Sequence, residues 1–323
     1  MQTHFLNRAL TLLLAALSFA AVAEEGGSGH YFPGSMSSFV DGVPATEAVI
    51  VRLNALTYDG SIDANVTVPI AGLAAANVDV DLTGLGVTAL WRPPFGGIGE
   101  HWSYAMAVTV PVVDLTVKAD VRQAGQSEGP VVRRSESVNG LGDILLFPVM
   151  LNYNVSDALN VNFRLGIYAP TGDYEKGKLA NEGKNFWTYE PEVAAIYLNP
   201  KTGIEASAFL GFDFNTQNDA TDYQSGTQGH LELTLAQHFP LWGGGAGAGV
   251  SAFWYEQLEG DSGTGATFGD FKARSFGVGP VVSYSHKLGS ADFVAEFKWL
   301  HEFEVEKRPE GDTLFLKAML KFQ

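Results

Sequence analysis

The segments Glu190-Pro191-Glu192 and His230-Leu231-Glu232 each place two chemistry-bearing side chains two positions apart. In an extended chain alternate side chains share a face, so each pair points one way. Two carboxylates on one face could divide the acid and base roles of a proton-transfer reaction. An imidazole beside a carboxylate could fill two positions around a metal ion. Neither set is complete. No third ligand stands at a recognisable spacing from His230, and a surface rich in carboxylates produces Glu–Glu pairs by chance. Asp79-Val80-Asp81 could take calcium at an outer surface. No serine and histidine carry a nucleophile motif, and the glycines between 243 and 249 lack the strand–loop–helix setting of a phosphate cradle. With no cysteine in the chain, thiol catalysis, zinc-thiolate sites, disulfides and a lipoprotein anchor are all removed. The expectation is a non-enzyme with no catalytic set, no metal set and no cofactor.

Such pairs need alternating strands to position them. From Ala291 to Val305 the chain puts Phe293, Ala295, Phe297, Trp299, Phe303 and Val305 on one face. Asp292, Glu296, Lys298, Glu302 and Glu304 fall on the other. A period of two sustained this long requires an apolar medium on one side and water opposite. The run exceeds the ~9–11 residues of a tilted membrane-crossing strand, and its apolar face is largely aromatic. Before the strands, Arg8, the apolar stretch from Ala9 to Ala20 and Ala21-Val22-Ala23 form a secretory signal peptide with cleavage expected after Ala23. No later segment supplies the ~18 uncharged apolar residues of a membrane helix, so a membrane form must be a closed barrel. The net charge of −16 argues against a nucleic-acid partner.

Twelve strands are predicted, at 47–58, 78–92, 101–121, 139–155, 158–170, 185–199, 202–215, 227–239, 246–258, 271–286, 290–305 and 313–322. The fold class is all-β, an antiparallel transmembrane β-barrel occupying residues 47–323. Junctions alternate between tight turns such as Lys287-Leu288-Gly289 and long polar loops such as 171–184 and 259–270, as periplasmic turns and outer loops do. Residues 93–100 and Leu241 to Gly245 are longer exceptions on the turn side. Tyr58, Tyr168, Trp187, Tyr189, Phe212, Trp254 and Phe271 are expected in an outer aromatic girdle.

Two segments fall outside the predicted wall. Residues 24–46 are too irregular for a strand, and either fold back as a plug, with His30, Tyr31, Phe32 and Pro33 buried, or form a disordered tail. The apolar first outer loop, 59–77, either folds over the mouth or packs against other loops. With apolar residues facing lipid, the phase of the strands assigns Arg52, Arg164, Glu190, Glu192, Glu205, Asp213, His230, Glu232, His238, Glu296 and Lys298 to the lumen. Pairing across the lumen is the expected state of each, and solute selection the alternative.

The chain resembles the outer-membrane family named for the meta-pathway of phenol degradation, with its SphA-like members. The resemblance rests on Glu25 to Gly34, which contains His30-Tyr31-Phe32-Pro33, and on Gly140-Leu141-Gly142-Asp143. Further matches are Tyr168-Ala169-Pro170-Thr171-Gly172-Asp173-Tyr174, Asn185 to Pro191 and Leu198 to Gly203. One departure is that Phe322, the aromatic expected to finish a barrel strand, is followed by Gln323. The resemblance implies an outer-membrane barrel that admits hydrophobic or aromatic compounds. The expected function is therefore passive uptake of hydrophobic or amphipathic molecules, either phenols and aromatic hydrocarbons or long-chain amphiphiles such as sphingosine. The alternatives are a general diffusion porin for small polar solutes and a surface barrel that transports nothing. Expected partners are outer-membrane lipid, lipopolysaccharide, the solute and the barrel-assembly machinery.

Overall fold

The computed structural model describes residues 28–123, 130–269 and 271–322. The expected signal peptide and residues 24–27 lie outside the described residues. Twelve antiparallel strands form the wall. They are β1 (Ala48–Ile70), β2 (Leu73–Arg92), β3 (Trp102–Gln123), β4 (Val132–Leu141 continued by Ile144–Asn154), β5 (Leu159–Ala169) and β6 (Thr188–Leu198). There follow β7 (Ile204–Asn215), β8 (Gln228–Leu241), β9 (Gly244–Gln257), β10 (Arg274–Leu288), β11 (Ala291–Glu306) and β12 (Glu310–Phe322). Each strand pairs with its sequence neighbours, and β1 also pairs with β12, from Val49 opposite Phe322 to Ser61 opposite Glu310. That last ladder closes the barrel and leaves no sheet edge, which lipid would not hydrate.

Alternation fixes which face meets lipid. On β11, Phe297, Trp299 and Phe303 are exposed outward, whereas Glu296, Lys298, Leu300 and Glu302 are buried inside. Glu302 accepts hydrogen bonds from Tyr58 (2.9 Å) and Ser275 (2.9 Å) in the interior, on the polar face expected for it. Glu304 remains exposed, because its positive φ of 50° breaks the alternation after Phe303. The outer girdle needs a correction. Trp187 and Tyr189 face outward, but Tyr58, Tyr168 and Phe271 are buried, since inward parity places the first two in the lumen and the third packs under the outer loops.

The largest departure from the sequence-based strands is at the first hairpin. Residues 59–77 are not a loop: β1 and β2 continue through them to Ala71-Gly72, with Ile70 opposite Leu73. The φ values of 48° and 84° at those two residues suit a tight hairpin turn, in which glycine is free of the Cβ penalty. A register break between Ile62 and Thr67 bends the hairpin. Its tip accepts a hydrogen bond at the Ala71 carbonyl from Gly177 of the loop between β5 and β6 (2.8 Å). Val68 and Ala75 pack in a cluster with Tyr31, Leu179, Phe271 and Leu300. The apolar residues thus lean across the mouth, and they do so as paired strands. On the periplasmic side, Leu241 and Gly244 belong to β8 and β9, so the junction shrinks to Trp242-Gly243, with φ 47° and 77°.

Candidate functional site

Residues 28 to 47 lie inside the barrel and reach from the loop between β5 and β6 to the periplasmic ends of the strands. At the outer end, Lys184 donates through Nζ to the Ser28 hydroxyl (3.0 Å). At the other end, Arg92 donates to the Ala45 carbonyl (3.2 Å). Between them the segment forms little regular structure of its own beyond a 3-10 turn at Phe39–Asp41, capped by the Ser38 hydroxyl. Its backbone must therefore be satisfied by the wall.

The acidic inward residues of β6 to β8 and β11 do much of this. One Glu232 oxygen accepts from the Tyr31 hydroxyl, from Gly34 N (3.1 Å) and from Met36 N (3.2 Å). Glu205 accepts from Phe39 N (2.8 Å) on one oxygen and pairs with His238 Nε2 (2.7 Å) on the other. Lys298 donates to the Gly34 carbonyl (2.6 Å) and the Ser37 hydroxyl (2.8 Å), and Glu296 accepts from the Ser38 hydroxyl. Arg164 pairs with Glu192 (3.0 Å) and donates to the Asp41 carbonyl (3.0 Å).

Asp41 is the segment's own anchor. Its carboxylate takes Lys317 at 2.6 Å on both oxygens and Arg52 at 2.8 Å on one. Burial opposes the Asp41 charge, but Lys317 and Arg52 outweigh it and hold the carboxyl below the usual carboxylate range. A second anchor gathers four of the sequence motifs. Gly142-Asp143 interrupts β4, freeing the Asp143 carboxylate to accept from Thr171 N (2.8 Å), Gly172 N (2.9 Å), Lys184 N (2.7 Å) and His30 Nε2 (2.8 Å). His30 also meets Thr188 Oγ1 (2.6 Å), stacks on Tyr168 at 4.9 Å and meets Phe186 edge-on. Burial pushes the His30 imidazole below its usual value, although Asp143 pulls the other way.

All eleven side chains expected in the lumen face inward. Ten of them hold residues 28–47 or pair with one another, and Asp213 stands beside Glu190 and His230. Arg52 borders the smaller of two cavities and His238 the larger. Asp41, Asp143 and Lys317 were not among the expected site residues. Asp143 stood in a recognisable motif, but its partners come from three separate segments. The inner face of β1 to β3 was missed for a different reason. Leu56, Val80, Leu82, Val113, Leu115 and Val117 point inward, and assigning every apolar residue to lipid hides them.

Those residues border a cavity of about 420 Å³ between the wall and His30, Tyr31, Phe32 and Pro33. Its size lies within the ~300–1,000 Å³ usual for small-molecule sites. Phe32 seals one side, edge-on to Tyr58 (5.6 Å) and Phe315 (5.8 Å). A second cavity of about 940 Å³ lies at the periplasmic end, bordered by Phe39, Val43, Asn152, Asn162 and His238. Residues 36 to 44 stand near the boundary between the two.

The COG4313 outer membrane channel from Pseudomonas putida F1 has a similar structure, with a TM-score of 0.63 at 14% identity over 91% of this chain and 100% of that one. At this identity the likeness shows the fold, a closed barrel of the outer-membrane type. The β domain of the Bordetella autotransporter BrkA has a TM-score of 0.45 at 10% identity, over 86% of this chain and 99% of that one. A Pseudomonas aeruginosa FadL homologue has a TM-score of 0.44 at 7% identity, over 86% and 90%. No curated protein sequence matches the chain. The family described as putative MetA-pathway of phenol degradation matches residues 59–318, and the chain belongs to that family.

Proposed function

We propose that the barrel admits a hydrophobic or amphipathic compound passively across the outer membrane. The observation that carries this reading is the cavity of about 420 Å³ bordered by the inward apolar residues of β1 to β3. A channel for small polar solutes has no use for Leu56, Val113 and Leu115 inside. Many of the polar side chains of the lumen, Glu205, Glu232, Lys298 and Lys317 among them, are meanwhile engaged with residues 28–47, which act as a plug. The solute enters beneath the β1–β2 hairpin, rests against β1 to β3, and passes residues 36–44 into the periplasmic cavity. Its class is an aromatic hydrocarbon, a phenol or a long-chain amphiphile such as sphingosine. No covalent chemistry or energy source takes part, the signal peptide is removed after Ala23, and the mature chain is delivered by the barrel-assembly machinery into a lipopolysaccharide-bearing membrane.

Uptake of radiolabelled phenol, an alkyl benzene and sphingosine, compared between a deletion strain and the same strain carrying the gene, tests this directly. Restored uptake of at least one compound is the expected result. Equal uptake by the deletion strain for all three would leave a surface barrel that transports nothing. Large, stable, voltage-insensitive conductance of the intact protein in planar bilayers would instead make it a general porin.

A further inference from the structure

His230 is held in a way that the plug does not explain. It lies on β8 opposite Gly211 of β7, and its ring occupies the space a side chain there would take. A Cβ on Gly211 would stand 2.3 Å from the imidazole Cε1. Through this notch the ring crosses β7 and reaches β6, where Nε2 comes to 3.2 Å from Glu190 Oε1. On its other face it stacks on the Tyr31 ring, with centroids 3.6 Å apart and planes 13° from parallel. Asp213 completes the group, and one ligand atom from each of Glu190, Asp213 and His230 lies within 4.8 Å of the others.

We propose that Glu190, Asp213 and His230 form a binding site for a divalent first-row transition ion, with zinc as the representative. Three observations point there. Each of the three residues is about 1% exposed, and neither ring nitrogen of His230 makes an aligned hydrogen bond. A buried imidazole with neither nitrogen in an aligned hydrogen bond, and only an ion-pair approach to Glu190, is a costly arrangement that a bound cation improves. The 3.2 Å approach of Nε2 to Oε1 is an ion-pair length without hydrogen-bond alignment. Two donors each about 2.0–2.2 Å from one ion stand about 3.0–3.6 Å apart, so the pair is already spaced for a shared metal. Charge agrees as well. Among the described residues the salt-bridge partner of Glu190 is His230, while Arg164 is taken by Glu192 and Lys298 turns to Gly34 and Ser37.

The donor set selects the ion. One imidazole and two carboxylates suit zinc, manganese(II) or iron(II), and a chain without cysteine offers nothing to a thiolate-seeking ion such as copper(I). Tyr168, beside Glu190, and Tyr31, against His230, wall the site from the rest of the lumen. Glu232, which shares a face with His230, is not a ligand, because it is committed to Tyr31, Gly34 and Met36. The site is independent of what the barrel transports.

The test is metal binding by the full-length protein in detergent, stripped with a chelator and titrated with zinc, with zinc content measured by mass spectrometry and folding checked by heat-modifiable mobility. One zinc per chain is expected in the wild type. Affinity should fall by at least about tenfold in Glu190→Gln, Asp213→Asn and His230→Gln. Gly211→Ala keeps all three ligands but fills the notch, and it should lose zinc as well, which a surface binding site would not. His301→Ala, at an exposed His–Asp pair on the outside of β11, should bind as the wild type does. Cobalt(II) should give a visible absorption spectrum in the wild type that Gly211→Ala abolishes. No stoichiometric zinc in the wild type, or zinc retained by folded Glu190→Gln and Gly211→Ala, would overturn the proposal.

Discussion

The β5–β8 side of the lumen and the β1–β3 side face the same N-terminal segment with opposite chemistry. On the first, Arg164, Glu192, Glu205 and Glu232 hold that segment or one another through charged hydrogen bonds. On the second, Leu56, Leu82, Val113, Leu115 and Val117 leave a cavity beside His30 to Pro33. A buried charge requires a partner, so the polar side is fastened shut. A half-buried leucine requires nothing directional, so the apolar side can exchange one greasy neighbour for another. Under the proposed function the contrast assigns anchoring to the charged inward residues, with Arg52 of β1 and Lys317 of β12 holding Asp41 at the margin of the apolar side, and passage to the apolar face of β1 to β3.

Removing the shared segment should have the greatest consequence. Deletion of residues 30–41 leaves the inward charges facing water, and conductance in planar bilayers should rise by on the order of tenfold as the lumen fills. An unchanged single-channel record would mean that the segment obstructs nothing. Next comes Asp41→Asn, which strips the carboxylate from Lys317 and Arg52. Breaking a buried pair in this way costs about 3–5 kcal/mol, and limited proteolysis should then cut within residues 28–47 of a barrel that still shows heat-modifiable mobility. Resistance equal to the wild type would place the anchor elsewhere.

The opposite side is probed by Leu115→Glu. A carboxylate there puts a charge into the apolar face of a cavity whose cations Arg52 and Lys317 are already taken by Asp41, and uptake of the apolar solute should fall by about tenfold or more while the proteolysis pattern stays native. Loss of the plug with unaltered uptake would invert the proposed division of labour. The smallest effect is that of pH on His30, which faces Asp143, Thr188, Lys184 and Glu190. Its value is depressed inside the barrel, so the docked segment takes up fewer protons than the free one. Docking should therefore be strongest above the ordinary imidazole value of about 6.5 and weaken as pH falls through it toward the depressed value, by at most about 1.4 kcal/mol per pH unit. Proteolysis across that range should show the slope in the wild type and lose it in His30→Gln.

Much of the wall was legible because lipid imposes a strict alternation. β11, β8 and β6 each set one apolar and one polar face, and their bounds differ from the expected ones by a few residues. Legibility failed where both faces are alike. On β3, Val110 and Val112 face outward while Val113, Leu115 and Val117 face inward, and periodicity is silent about such a strand. The β1–β2 hairpin was obscured by Pro69, Gly72 and a run of alanines, which resemble a loop when the bend at Ile62 to Thr67 is unknown. The inward residues were recoverable one strand at a time. The grouping of Glu190 with Asp213 and His230 was not, because it depends on register across three strands and on an absent side chain at Gly211.

The division of the lumen is tested most directly by photoaffinity labelling of the full-length protein in outer membranes with a photoreactive alkyl benzene, with and without excess unlabelled compound, and mapping of the adducts by mass spectrometry. Competable labels on the inward residues Leu56, Val113 or Leu115 are the predicted result, against a background on lipid-facing positions such as Val87 and Val112 that competitor does not remove. Labels confined to those lipid-facing positions, or competable labels on the β5–β8 side alone, would contradict it.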